Sequence, residues 1–401
     1  MKKIYSHTLH DMDEWFDIAK NSCHEFVWIR EDSLGENFQK FAFGELVSRE
    51  TSTISELQQW WQHLSDENSA QLTSFVSIAF DKTSSWKCKA SIPQFLFEQT
   101  ARGKSITFFS FERINIESMG ELLQQLKDTK QQQPGILEET GKSLSDQNWM
   151  DVVSQALDLM KSTELEKIVL SRKVSYSANV PIATAEVLNK LRQHYRQCWV
   201  YGYQGFVGAT PEMLVEVHDR TAKARVLAGT QSRSIGEEPT LLESKKELNE
   251  HQLAIDSLAE TLQTASVTLK IEGPFTLELP NVWHLASDVK ATLNTPVHIL
   301  ELVKKLHPTA AVGGTPRNKA VALINELENY DRGPYTGPVG WMNSQGEGQF
   351  GIALRCGLIN GNNIDLYAGC GIVPGSDPVK ELAETEHKML PMRQALRELF
   401  A

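Results

Sequence analysis

Two stretches far apart in the chain carry the same carboxylate spacing, and this repetition restricts the fold more than any other feature. The downstream stretch, Tyr367 to Met389, is YAGCGIVPGSDPVKELAETEHKM. An apolar run broken by glycines leads into Asp377, a good helix N-cap, and Pro378 fits the first helical position. On that helix, at about 100° per residue, Glu381, Glu384 and Lys388 lie within about 60° of one another. The upstream stretch, Ser244 to Asp256, is SKKELNEHQLAID; Glu247 and Glu250 repeat the i,i+3 spacing and His251 follows at once. The plain alternative is two unrelated solvated helices, with a Glu384–Lys388 pair worth ~0.3–0.5 kcal/mol. If the helices face each other, the four carboxylates suit one hard cation. Mg²⁺ fits, because it takes few protein carboxylates and completes its shell with water and substrate oxygens.

Composition narrows the class. With 401 residues, 41% hydrophobic and 23% charged, the chain describes a globular protein of one large or two ordinary domains. A net charge of −11 without a long basic run argues against nucleic-acid binding. The start, MKKIYSHTLHDMDEWF, lacks the apolar core of a signal peptide, and no stretch approaches the ~20 apolar residues needed to span a bilayer. Cys23, Cys88, Cys198, Cys356 and Cys370 form no CxxC pair and suggest reduced thiols in a cytoplasmic protein.

Along the chain, Ile54–Leu64 is an amphipathic helix; Ser74–Phe80 and Ile106–Phe111 are strands; Trp86–Phe97, with Pro93, is a turn-rich connection. Leu122–Lys130 resembles a helix, and the polar run to Gln147 is the best place for a boundary. We therefore expect an N-terminal α+β part over 1–135, packed into the same fold, and a catalytic domain over 136–401. In the second part, helices are expected at Trp149–Ser162, Ala183–Tyr195, Glu247 to about Ala265, Pro296–Lys305 and, after a loop of small residues at His307–Pro316, up to Glu326. Strands are expected at Glu166–Ser171, Trp199–Val207, Met213–Val217, Arg225–Ser234 (running into a Gly229-Thr230 turn), around His284, and at Gly337–Trp341, Phe350–Cys356, Gly357–Ile359 and Ile364–Tyr367. This mix predicts an α+β fold, with large antiparallel sheets packed face to face and helices outside.

Several residues could carry chemistry. Lys167 at a strand start is ordinarily solvated; in a cleft it could serve as a general base. Glu212, after Pro211, is ordinarily exposed; if enclosed, desolvation would raise its pKa and make it a general acid. Backbone N–H groups around Gly229-Thr230 and Gly369-Cys370-Gly371 could bind a carboxylate, or be plain tight turns. Arg355 inside an apolar strand needs an anionic partner, and Tyr335 could add a hydroxyl donor. His284 fits a satisfied core histidine. No nucleotide-binding loop is present.

The ordered set EKIVLSRK, TPEMLVEV, LAGTQSRS, KELNEHQ, WHL, LHPTAAVGGTP, DRGPYTGPVGW, IALRC and GCGIVPGSDPxxExxExxxK resembles the chorismate-utilising enzymes, over roughly residues 145–395. Within them it is most similar to the isochorismate synthases of the menaquinone type. The resemblance implies a Mg²⁺-dependent, reversible conversion of chorismate to isochorismate, in which water adds at C2 and the C4 hydroxyl leaves. It implies Lys167 as the base, Glu212 as the acid, Glu250 and Glu384 as Mg²⁺ ligands, and Glu247 and Glu381 as water-mediated or orienting ligands. Gly229, Thr230, His284, Tyr335, Arg355, Gly369, Gly371 and Lys388 are the implied substrate contacts, with Arg355 on the enolpyruvyl carboxylate. Lys167 argues against an ammonia-using member with a glutaminase subunit. No partner beyond the small-molecule substrate is implied, and a monomer is the expectation. The competing readings are a salicylate synthase, a siderophore-pathway isochorismate synthase and a non-catalytic chorismate-binding subunit. Cys370 stands where many relatives carry Ala.

Overall fold

The computed structural model describes residues 2–10, 13–22, 25–31, 37–100, 103–113, 121, 123, 132–233 and 238–400. The helix expected at Leu122–Lys130 lies, apart from Leu123, outside them. In chain order the elements begin with β1 (Tyr5–His10), α1 (Asp13–Ser22), β2 (Phe26–Glu31), β3 (Asn37–Thr51), α2 (Ile54–Glu67), β4 (Thr73–Ile78), β5 (Cys88–Thr100) and β6 (Gly103–Ser110). Then come β7 (Leu137–Lys142), α3 (Asp146–Ser162), β8 (Lys167–Ala178), α4 (Thr184–His194), β9 (Trp199–Tyr203), β10 (Phe206–Thr210), β11 (Met213–His218) and β12 (Thr221–Ser232). They continue with α5 (Lys245–Gln263), β13 (Ser266–Glu278), β14 (Val282–Leu293), α6 (Ile299–Leu306), β15 (Gly314–Thr315) and α7 (Arg317–Leu327). Last are β16 (Pro338–Asn343), β17 (Gly348–Ile352), β18 (Cys356–Asn360), β19 (Asn363–Ile372) and α8 (Pro378–Leu399).

The strands pair antiparallel in two branches that part at β5. One runs β1-β6-β5-β3-β2-β9-β10-β18-β19-β8. The other leaves the first half of β5 through β4 and continues β16-β17-β11-β12-β14-β13. The branches pack face to face: Phe26 on β2 stacks on Phe75 of β4 at 5.4 Å, and Trp28 Nε1 donates to Gln349 of β17 at 2.7 Å. Strands such as β9 and β10 are buried throughout, which is why they are nearly continuous apolar runs rather than alternating ones. Helices cover the outer faces: α4 and α8 pack on β8, β9 and β19 through Leu188, Leu191, Met389 and Met392, and α2, α5 and α6 cover the other branch. The expected α+β class with large antiparallel sheets and outer helices is observed.

Several local expectations are corrected. Trp86–Phe97 is not a connection: β5 runs through Pro93, which lies opposite Glu45 where the register with β3 shifts, so the missing N–H is absorbed by a bulge. Trp199–Val207 is not one strand but the start of a β9–β10 hairpin, turning at Gln204 (φ +47°) and Gly205 (φ +87°). Gly229-Thr230 is not a turn. It is a bulge inside β12, with Gly229 at φ +87° and the register against β14 shifting between Leu227 and Thr230. Likewise Gly369-Cys370-Gly371 lies within β19 rather than in a tight turn. Phe350–Cys356 is two strands, not one, and Arg355 sits between them at φ +50° instead of inside a strand.

Candidate active site

The connections β10–β11 and β17–β18 both pass from one branch to the other, and they pass side by side. Ile352 N–H donates to Glu212 O and Ala209 N–H donates to Arg355 O, each at 3.2 Å. Glu212 and Arg355 are thus fixed at the same corner of the fold, 4% and 7% exposed. Burial pushes the Glu212 carboxyl up to about 8, and the opposing charges of Lys167, Arg355 and Lys388 do not cancel that effect.

Lys167 opens β8 and is fully buried, against the expectation for an ordinary strand-start lysine. Its Nζ lies 3.1 Å from Glu250 Oε1, an ion pair by distance, but the angle gives no hydrogen bond. Gly371 makes this approach possible. A Cβ there would stand 2.0 Å from Glu250 Oε1 and 3.1 Å from Lys167 Cε.

The two carboxylate helices meet beside this pair. Ser244 caps α5, and Asp377 caps α8 as expected. Lys246 Nζ joins the helices, 3.2 Å from Glu247 Oε1 and 3.0 Å from Glu381 Oε1. Glu384 pairs with Lys388 at 2.6 Å, and Lys388 also donates to Gly369 O at 3.0 Å. Burial first, then the neighbouring carboxylates, raise Glu247 (through Glu250) and Glu381 (through Glu384) above the usual range. No three of these four glutamates bring oxygens within 4.8 Å of one another; among the described residues only the exposed His218 and Asp219 and the half-buried Glu347 group three ligand atoms that closely. The donor set nevertheless fits a hard divalent cation: carboxylate oxygens only, from facing helices, whose mutual repulsion a cation would relieve.

On the other wall, His284 of β14 is held by β12. Its Nδ1 lies 3.0 Å from Thr230 Oγ1 and 3.3 Å from Gly229 O, and its Nε2 accepts from Arg355 at 2.6 Å. Thr230 N–H donates to Glu247 Oε2 at 3.0 Å. The Tyr335 ring stacks on Tyr367, centroids 5.3 Å apart. Together these walls enclose a cavity of about 50 Å³ lined by Glu212, Glu250, His284, Tyr335, Arg355 and Lys388, with Gly229, Thr230, Gly369 and Gly371. Lys167 is not part of this lining; it lies behind Glu250 and Gly371, which are. Glu247, Glu381 and Glu384 stand outside this lining, grouped around Lys246 and Lys388.

Lys246 was passed over in the sequence, and His251 was noted there without a role. Lys246 is four residues before Glu250, hence on the same helix face, a signal that was available. His251 anchors α5, with Nδ1 on Ala228 O at 3.0 Å and Nε2 on Ser287 Oγ at 2.9 Å; burial lowers its pKa to about 4, so it is neutral.

The family model described as "Chorismate binding enzyme" matches residues 14–397. The chain belongs to the chorismate-binding enzymes. Among curated relatives, the isochorismate synthase MenF of Bacillus subtilis is 34% identical over 280 residues, 67% of this chain and 59% of that protein. The isochorismate synthase DhbC of the same organism is 34% identical over 290 residues, 67% of this chain and 72% of that one. The match thus spans about three-fifths of the first relative's length. The solved structure of MenF from Escherichia coli, the menaquinone-specific isochorismate synthase, superposes with a TM-score of 0.81 at 23% identity, covering 98% of this chain and 94% of that one. That likeness shows a shared fold. No described helix is long and apolar enough to cross a membrane.

Proposed function

We propose that this chorismate-binding enzyme is a Mg²⁺-dependent isochorismate synthase that interconverts chorismate and isochorismate, serving menaquinone synthesis in the cytoplasm and acting as a monomer without a glutaminase subunit. The observation that carries the reading is a carboxyl pushed up to about 8 in the cavity wall, Glu212, with the buried, hydrogen-bond-free amine of Lys167 close enough behind that wall for its charge to act on it.

Lys167 takes a proton from the water that adds at C2. Glu212, still protonated at neutral pH, gives its proton to the C4 oxygen, which leaves as water. Arg355 meets the enolpyruvyl carboxylate, and neutral His284 steadies the guanidinium. Tyr335, Lys388 and the backbone at Gly229-Thr230 and Gly369–Gly371 orient the ring. Glu250 and Glu384 would hold Mg²⁺, with Glu247 and Glu381 orienting it through water. When bound, the ion supplies positive charge for the ring carboxylate. The cavity, at about 50 Å³, is narrower than the ~300–1,000 Å³ usual for ligand pockets, so its walls part to admit substrate.

Product analysis with chorismate and Mg²⁺ tests this. Isochorismate alone is expected; accumulating salicylate and pyruvate would show a salicylate synthase, and no turnover would leave a binding subunit. The menaquinone assignment is supported by likeness to the MenF enzyme of Bacillus subtilis. Rescue of menaquinone synthesis, rather than only siderophore synthesis, in a strain lacking both isochorismate synthases tests it.

A further inference from the structure

A much larger groove, about 830 Å³, opens between α2, α6, α7 and the β4–β5 connection. Its rim carries Lys82, Lys87, Lys304 and Arg317 against one carboxylate, Asp81. Asp81 is already engaged: it accepts from Thr83 Oγ1 at 2.6 Å and from Asn325 Nδ2. Arg317 donates to Lys305 O at 2.9 Å, but among the described residues Lys82, Lys87 and Lys304 have no ion-pair partner. A local excess of cations on a chain of net charge −11 favours an anion.

Two further features point the same way. α2 and α7 both begin at the groove, and α7 has Pro316 at its N-cap with no side-chain cap, so its first-turn N–H groups face outward without one. The floor is apolar, formed by Ile78, Phe80, Pro308 and Val321. A small hydrophilic ion would leave that floor unused.

The groove also touches the catalytic cavity through packed groups. His307 Nε2 donates to Phe80 O at 2.8 Å, and the Arg332 guanidinium lies 4.2 Å from the Phe80 ring centre. Arg332 in turn donates to Val169 O at 2.6 Å and Val312 O at 3.0 Å. Val169 and Val312 line the catalytic cavity, and Val169 is on the strand of Lys167.

We propose that this groove is a regulatory site for an organic acid with an apolar ring or acyl body. The acid group meets Lys87, Lys304 and the start of α7, and the body lies on the Ile78–Phe80–Val321 floor. The regulatory part rests on the proposed synthase activity; binding does not.

The probes are 2-naphthoate and its neutral analogue 2-naphthamide, titrated calorimetrically into the full chain. Naphthoate is expected to bind at least about tenfold more tightly. The double variant Lys87→Met, Lys304→Met should lose that preference while keeping its melting temperature and its chorismate turnover without probe. Saturating naphthoate should change wild-type kcat or KM without competing with chorismate, and leave the double variant unchanged. Equal binding of the two probes, naphthoate binding indifferent to the double substitution, displacement by chorismate, or binding without any change in turnover would each overturn the proposal. Turnover measured without probe reports separately on the synthase reading.

Discussion

Arg355 donates a hydrogen bond to His284 Nε2 across 2.6 Å, so a permanent cation is aimed by an imidazole that must stay neutral. Burial first, then the Arg355 charge, push the His284 pKa well below its ordinary value. The ring's proton is then on Nδ1, toward Thr230 and Gly229 O. His284→Leu removes the acceptor and frees the guanidinium, a loss of about 1–3 kcal/mol in aiming a charged donor. KM for chorismate should rise by roughly tenfold to a hundredfold, with kcat changed less; His284→Gln should recover part of it. Steady-state kinetics check this.

Glu212 sets the alkaline limit. A carboxyl pushed up to about 8 carries its proton at neutral pH and loses it as pH rises past that value. As the acid for the C4 oxygen, Glu212 is competent below about pH 8, so kcat/KM should fall above it. Glu212→Gln cannot donate a proton and should lose about 10²–10⁴-fold in kcat. A pH–rate profile of the wild type with its alkaline limb near 4.5 instead would remove Glu212 as the acid.

The carboxylate helices were legible because spacing and caps are local: Asp377-Pro378 and the i,i+3 glutamates dictate helix and face without tertiary knowledge. The features missed depend on partners distant in sequence. Pro93 looks like a breaker until β3 supplies the bulge that accepts it. Arg355 looks like a strand residue until the chain is seen changing branches at φ +50°. The burial of Glu212 was likewise invisible, since a crossing between branches leaves no mark on neighbouring residues, and that of Lys167 depends on Glu250, distant in sequence. β13 was legible and overlooked: Val267, Leu269 and Ile271 alternate with Thr268, Lys270 and Glu272, the period of a strand, which here pairs with β14.

Gly371 is required for space rather than for backbone freedom. A methyl group there would stand 2.0 Å from Glu250 Oε1, nearer than any real contact, and would move that carboxylate away from Lys167. Gly371→Ala should fold, cost about 1–3 kcal/mol as an overpacked site, and lose most turnover together with Mg²⁺ affinity. Thermal melts and magnesium titration separate these effects.

Lys246 occupies the middle of the acidic cluster, between Glu247 and Glu381. It balances the carboxylates when no other cation does, and so competes with one. Lys246→Met should bind Mg²⁺ more tightly, by calorimetry, and melt lower in chelator because the repulsion is then unopposed. Chelator should abolish wild-type turnover and added Mg²⁺ restore it. Unchanged metal affinity in the variant would show that Lys246 stands apart from the metal site.

Lys167→Ala tests the base and its electrostatic influence together. Removing the amine should cost about 10²–10⁴-fold in kcat as general-base catalysis is lost. The free amine is the base; in its ammonium form the same group is the largest of the charges that hold the Glu212 pKa down, and the substitution removes that form too. With that opposition gone, burial raises Glu212 further, so the alkaline limb of the residual activity should move to higher pH, not lower. Glu250 meanwhile loses the cation 3.1 Å from its carboxylate and should depend more on added Mg²⁺. A variant as fast as the wild type, with an unmoved alkaline limb, would place Lys167 outside both the chemistry and the field acting on Glu212.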